Sequence, residues 1–131
     1  MANCCECLVE FYGSKSECKA FITKHFGQDG GGDPCFDLRW CQNETHPIGF
    51  SLRYSVNRHY RDRYVAMVRF WTKWGPPTAW FEAVLQERSS GYAVMNWWER
   101  NHQFCGEMDI QEETREIRRW DSEDYQGWRG G

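Results

Sequence analysis

Leucine and isoleucine are scarce in this sequence, and the usual aliphatic filling of a small domain is therefore missing. In its place stand 8 tryptophans, 8 phenylalanines and 6 tyrosines in 131 residues. One buried aromatic side chain withdraws about 150–250 Å² from water, so a single domain with a core of few, large pieces is the expectation. An excess of positive charge is missing too. Sixteen Lys and Arg face 19 Asp and Glu, a formal net charge of −3, which argues against a general nucleic-acid binder, a class that is usually basic. No apolar run approaches the roughly 18 residues that a spanning helix needs. Met1-Ala2-Asn3-Cys4 is too short and too polar for a secretory signal. The 7 cysteines are odd in number and lack an oxidising context, so reduced thiols packed as small hydrophobes in a cytosolic protein are expected.

Several chemical motifs fail on inspection. Asp29-Gly30-Gly31-Gly32-Asp33-Pro34 is rich in glycine but has neither the Lys-Ser/Thr pair nor the helix start of a phosphate cradle, and reads as a loop. Cys4, Cys5 and Cys7, with Cys35 and Cys41, invite a zinc reading. In a strand, however, Cys4 points away from Cys5 and Cys7, and the three cannot converge as one knuckle. No motif pairs a cysteine with His25, His46, His59 or His102 as nucleophile and base. His25 has its own reason to be where it is, since the last turn of a helix favours a cation. No enzyme activity, metal or cofactor is expected.

What the sequence does carry is a clear run of elements. From Asn3 to Tyr12 it alternates, with Cys5, Cys7, Val9 and Phe11 on one face and Glu6, Leu8 and Glu10 on the other. Ser14 to Glu17 has the spacing of a capping box, and Cys18, Phe21, Ile22 and Phe26 then form a helical stripe that Gly27 is placed to end. Phe36, Leu38 and Trp40 suggest a short strand. Ile48 to Val56 reads as another, and a polar turn over Asn57–Asp62 joins it to a strand from Tyr64 to Trp74. In that strand Ala66, Val68, Phe70 and Thr72 share the core face. Pro76 and Pro77 suit the first turn of a second helix, whose apolar face carries Phe81, Val84 and Leu85. Tyr92 to Glu99 is a strand, and Arg100-Asn101-His102 turns the chain into Gln103–Gly106. Beyond Glu107 the chain is acidic. Glu112, Glu113 and Glu116 fit a short helix with the neighbouring arginines.

The order is strand, helix, strand hairpin, helix, and a last strand with an added hairpin strand. It predicts an α+β ferredoxin-like sandwich, an antiparallel sheet with two helices on one face. Residues 1–120 are expected to form that domain and residues 121–131 an acidic, glycine-rich tail.

Three places in the chain carry a family resemblance. Asn3, Cys5 and Gly13 keep the spacing of an Asn-Trp-Cys start with a glycine ten residues after the Asn. Phe70-Trp71-Thr72-Lys73-Trp74-Gly75-Pro76-Pro77 resembles a central Phe-x-Thr-Ala-Trp-Ser-Pro-Pro box. Phe104-Cys105-Gly106 stands where a late hairpin ends in Phe-Ala-Gly. On these motifs the chain resembles the YubB-like ferredoxin-fold family of small plasmid- and phage-encoded proteins. The resemblance implies a mobile-element origin and no transferable catalytic residues.

The expected function is binding and inhibition of a bacterial defence complex, such as a CRISPR effector, in the host cytoplasm. Two surfaces are candidates for that contact. One is the acidic C-terminal region, with Glu112, Glu116, Asp121 and Asp124. The other is the open face of the sheet, where Arg69, Trp71 and Trp98 present the residue types that dominate protein interfaces. The same aromatics on a sheet also suit base stacking, so a nucleic-acid or nucleotide-binding module is the alternative. Pairing of Glu6 or Glu10 with Arg69 or Lys73 across strands is the ordinary structural reason for those charges.

Overall fold

The structure is a computed structural model. It describes residues 4–26, 50–73, 76–87, 91–99, 104–111 and 113–121. The strand expected over Phe36–Trp40, the glycine-rich loop before it and the turn expected at Arg100–His102 lie outside those residues.

Strand β1 spans Cys4–Gly13 and leads into helix α1, Lys15–Phe26. The capping box closes as expected. The Ser14 amide donates to Glu17 Oε1 at 2.9 Å, and the Glu17 amide donates to Ser14 Oγ at 3.2 Å, so each residue satisfies a free N–H of the other. Strands β2 (Phe50–Tyr60) and β3 (Arg63–Lys73) form a hairpin, helix α2 covers Thr78–Glu87, and β4 runs over Tyr92–Glu99. Two further strands follow, β5 over Phe104–Ile110 and β6 over Ile117–Asp121.

The six strands form one antiparallel sheet in the order β2-β3-β1-β4-β5-β6. This corrects the expected two-helix ferredoxin-like sandwich: the fold is α+β but dominated by strand, with six strands and two helices among the described residues. Geometry explains the difference. Six strands span roughly 24 Å at their usual spacing, whereas two helices side by side cover roughly 20 Å. The sheet is thus wider than these two helices can cover, and β6 has no buried residue.

Two boundaries also shift. The expected polar turn over Asn57–Asp62 is mostly strand, and only Arg61 and Asp62 remain between β2 and β3. Edge position is the reason: among the described strands β2 pairs with β3 alone, and its polar side chains over Asn57–Tyr60 are exposed. In place of the short helix expected with Glu113 and Glu116, the described residues 113–116 are the connection of a hairpin. The Gln111 amide donates to the Glu116 carbonyl at 2.8 Å, and Ile110 then pairs with Ile117. β6 ends at Asp121, and the rest of the expected tail, residues 122–131, lies outside the described residues.

One face of the sheet is core. Cys5, Cys7, Val9 and Phe11 of β1 are fully buried, as are Ala66, Val68 and Phe70 of β3 and Ala93 and Met95 of β4. Helix α1 adds Cys18, Phe21, Ile22 and Phe26, and helix α2 adds Trp80, Phe81, Val84 and Leu85. Aromatic packing holds the layers together. Phe11 stacks on Phe21 with centroids 4.7 Å apart and planes 5° from parallel. Trp80 meets Phe26 and Phe70 edge-on at 5.3 and 6.0 Å, so one ring ties both helices to the sheet.

Cys5, Cys7, Cys18 and Cys105 are free thiols, and only Cys105 is better than buried. Cys7 Sγ approaches the Thr72 hydroxyl at 3.8 Å, and Cys18 Sγ donates to the Phe11 carbonyl at 3.7 Å. The hydrogen bond to Cys7 pushes the Cys5 thiol up, and burial adds to it. Such thiols are inert until the fold opens. A thiol-reactive dye should therefore modify Cys105 in the native protein and leave Cys5, Cys7 and Cys18 untouched until denaturant is added. Mass mapping of the labelled cysteines checks this, and native labelling of Cys5 would contradict the packing described.

Candidate functional site: the open face of the sheet

Among the described residues, no helix covers the other face of the sheet. Strand alternation places Glu6, Leu8, Glu10 and Tyr12 of β1 on it, and the register sets the neighbours. Glu6 lies opposite Trp71 on one side and opposite Trp98 on the other. Leu8 lies between Arg69 and Asn96, and Tyr12 between Val65 and Tyr92. Toward β6, Asp109 faces Arg118 and Glu107 faces Trp120.

Three of the residues expected from the sequence thus come together. Arg69, Trp71 and Trp98 surround Glu6, whose side chain is only 11 % exposed and pairs with Arg69 Nε at 3.4 Å. The two tryptophans are half-buried, with their bodies fixed by the sheet and part of each ring in solvent. Lys73 follows at the end of β3, in register with Cys4.

Of the expected acidic surface, Glu116 and Asp121 are described. Glu112 and Asp124 lie outside the described residues. Glu116 stands in the β5–β6 connection, at the opposite end of β6 from Asp121. Asp121 is turned to the helix side, in register with Gly106, and pairs with Arg119 of its own strand at 3.2 Å.

A second ion pair sits on the open face, and sequence reasoning missed it. Asp109 is buried, yet it accepts two bonds from Arg118, at 3.0 Å from Nε and 2.8 Å from Nη2. It also accepts the Tyr92 hydroxyl at 2.7 Å. The hydrogen bond to Asp109 raises the Arg118 pKa further. Burial pushes the Tyr92 phenol well above its ordinary value of 10.0, and the bond to Asp109 adds to the shift. Tyr12 is raised by the same two causes, burial and then its 3.0 Å bond to Glu10 Oε2. The signal was available in sequence, since Asp109 and Arg118 flank a possible hairpin, but it needed β6 to be read as a strand.

These two phenols give an alkaline signature. The fold favours their neutral form, so their contribution to stability is fully present below about pH 10 and is lost as pH rises through their elevated pKa values. A phenolate absorbance titration should show a late-ionising group of tyrosines, and Tyr92→Phe should remove part of it and flatten the alkaline loss of stability. A Tyr92→Phe titration identical to that of the parent would contradict the Asp109 contact.

Between Tyr12 and Tyr92 the face dips into a shallow groove of about 540 Å³, with Glu10, Arg63 and Glu107 at its rim. A smaller niche of about 220 Å³ lies toward the β2 edge, between Arg53, Met67 and Arg69. Among the described residues there is no group of three or more His, Cys, Asp or Glu placed to hold a metal ion. No helix among them is long and apolar enough to cross a membrane.

No protein-family model matches the chain, and no curated protein or solved structure matches it either.

Proposed function

We propose that this chain is a non-enzymatic binding protein that docks a protein partner on the open face of its sheet, at the end built by Trp71, Trp98 and the Glu6–Arg69 pair. One observation carries the reading: the two arginines nearest the tryptophans and the β5–β6 hairpin on this face are each already paired with a carboxylate. Arg69 is paired with Glu6 and Arg118 with Asp109, while Glu10 and Glu107 add negative charge without a bond to an arginine among the described residues. Arginines held in such pairs contribute little to binding a phosphate backbone, which depends on unneutralised lysine and arginine. Half-exposed tryptophan beside arginine is, by contrast, the composition of protein hot spots. The resemblance to small plasmid and phage proteins supports a particular use of that surface, inhibition of a bacterial defence complex such as a CRISPR effector.

The alternative, stacking of nucleic-acid bases on the same tryptophans, is open to direct trial. A fluorescent RNA and a single-stranded DNA, titrated with the purified chain at moderate salt, should show no saturable binding. Micromolar binding that vanishes in Trp71→Ala or Trp98→Ala would replace the protein-partner reading with the base-stacking one, since each stacked base contributes about 1–3 kcal/mol.

A further inference from the structure

The groove at the opposite end of the open face has a chemistry of its own. Its walls are the rings of Tyr12 and Tyr92, with centroids 6.0 Å apart and planes tilted by 41°. Both hydroxyls are already engaged, Tyr12 with Glu10 and Tyr92 with Asp109, so neither ring is free to turn its hydroxyl elsewhere. His59 meets Tyr12 edge-on at 5.1 Å and closes the side toward β2. The half-buried Glu107 reaches the rim from β5 and makes no hydrogen bond or ion pair with the described residues. Two carboxylates, Glu10 and Glu107, thus stand against one guanidinium in the groove, Arg63, around a floor that includes Asn96, while Arg118 acts on Glu107 from the β6 side. Aromatic faces fixed in place beside carboxylates attract a cation twice over, through the ring quadrupole and through opposite charge.

We infer that this groove receives one basic side chain, the guanidinium or ammonium of an arginine or lysine on the protein partner, laid over the Tyr12 and Tyr92 rings with its charge toward Glu107. The inference rests on the proposal that the partner is a protein, and it adds which residue that partner inserts. An anion is disfavoured by the same two carboxylates. A neutral apolar side chain would leave Glu107 buried under it without a partner, at a desolvation cost.

The test needs no partner. The purified chain is titrated with blocked tripeptides, acetyl-Gly-Arg-Gly-amide and its Lys counterpart, with Glu and norleucine versions as controls, while the Asn96 side-chain amide and the tyrosine ring signals are followed by NMR. The Arg and Lys peptides should bind weakly but saturably and move the Asn96, Tyr12 and Tyr92 signals, less so at high salt. Glu107→Gln should weaken this binding by about fivefold, and Glu10→Gln should do likewise. Both positions are at least partly exposed, and an unchanged spectrum elsewhere verifies the fold of each variant. Equal binding of the Glu or norleucine peptide, shifts confined to Trp71 and Trp98, or no effect of either glutamine variant would overturn the inference. None of those outcomes bears on the oligonucleotide titration above, so the groove assignment and the protein-partner reading fail separately.

Discussion

Gly106→Ala should destabilise the protein by about 3 kcal/mol, the upper end of what overpacking a well-filled site costs. Gly106 lies on β5 directly opposite Trp97 of β4. The Trp97 indole is almost fully buried and is laid across the glycine, so a methyl group there would overlap the ring and lie 2.8 Å from the Trp120 carbonyl oxygen. Neither obstacle gives way easily. The carbonyl belongs to β6, hydrogen-bonded to β5, and the guanidinium of Arg119 sits 5.5 Å from the centre of the Trp97 ring. Relief would require the ring to leave the core or the β5–β6 pairing to open. Urea denaturation followed by tryptophan fluorescence measures the loss, and a change below about 1 kcal/mol would show that the ring does not occupy this place.

Phe81→Ala should cost about 3–5 kcal/mol, the range for deleting a large buried aromatic. Phe81 is fully buried at the centre of α2, beside Trp80 at 6.0 Å between ring centroids, within the cluster that includes both helices and the sheet. The aliphatic side chains that could collapse into the vacated space are few in this sequence, so the cavity should persist and the cost should fall in the upper half of that range. The same denaturation experiment decides it. A loss under about 1 kcal/mol would mean that α2 turns another face to the sheet.

The two halves of the fold were not equally legible in the sequence. Strand β1 was plain because Cys5, Cys7, Val9 and Phe11 are all apolar on one face, and α1 because its stripe and its capping box agree. Both signals depend on apolar residues facing one core. Strand β6 has no such pattern. Its alternation is one of charge, with Arg118 turned to Asp109 on the open face and Arg119 and Asp121 paired on the other. A strand held by one cross-strand ion pair and one along its own length looks in sequence like a solvated charged helix. Missing it cost the sheet its width, and with it the correct architecture.

The candidate site was legible in part for a related reason. Period-two alternation is enough to place Glu6, Arg69, Trp71 and Trp98 on one face. It does not say which residues stand opposite one another, because register is set by turns and pairing between distant strands. Only the observed register puts Glu6 between the two tryptophans. The Tyr12–Tyr92 groove was hidden for the same reason, since its two rings belong to strands about 80 residues apart that only β1–β4 pairing brings together.

The proposed partner surface is the open face of the sheet. The most direct measurement is the affinity of purified bacterial defence effector complexes for the immobilised chain, compared with the Trp98→Ala chain and with a Glu116→Lys, Asp121→Lys double variant. Binding by the parent chain that falls at least about tenfold in Trp98→Ala, as removal of a hot-spot aromatic predicts, and changes little in the double variant is the expected result. Binding that survives Trp98→Ala but collapses when Glu116 and Asp121 are reversed would move the contact to the C-terminal hairpin and contradict the assignment of the open face.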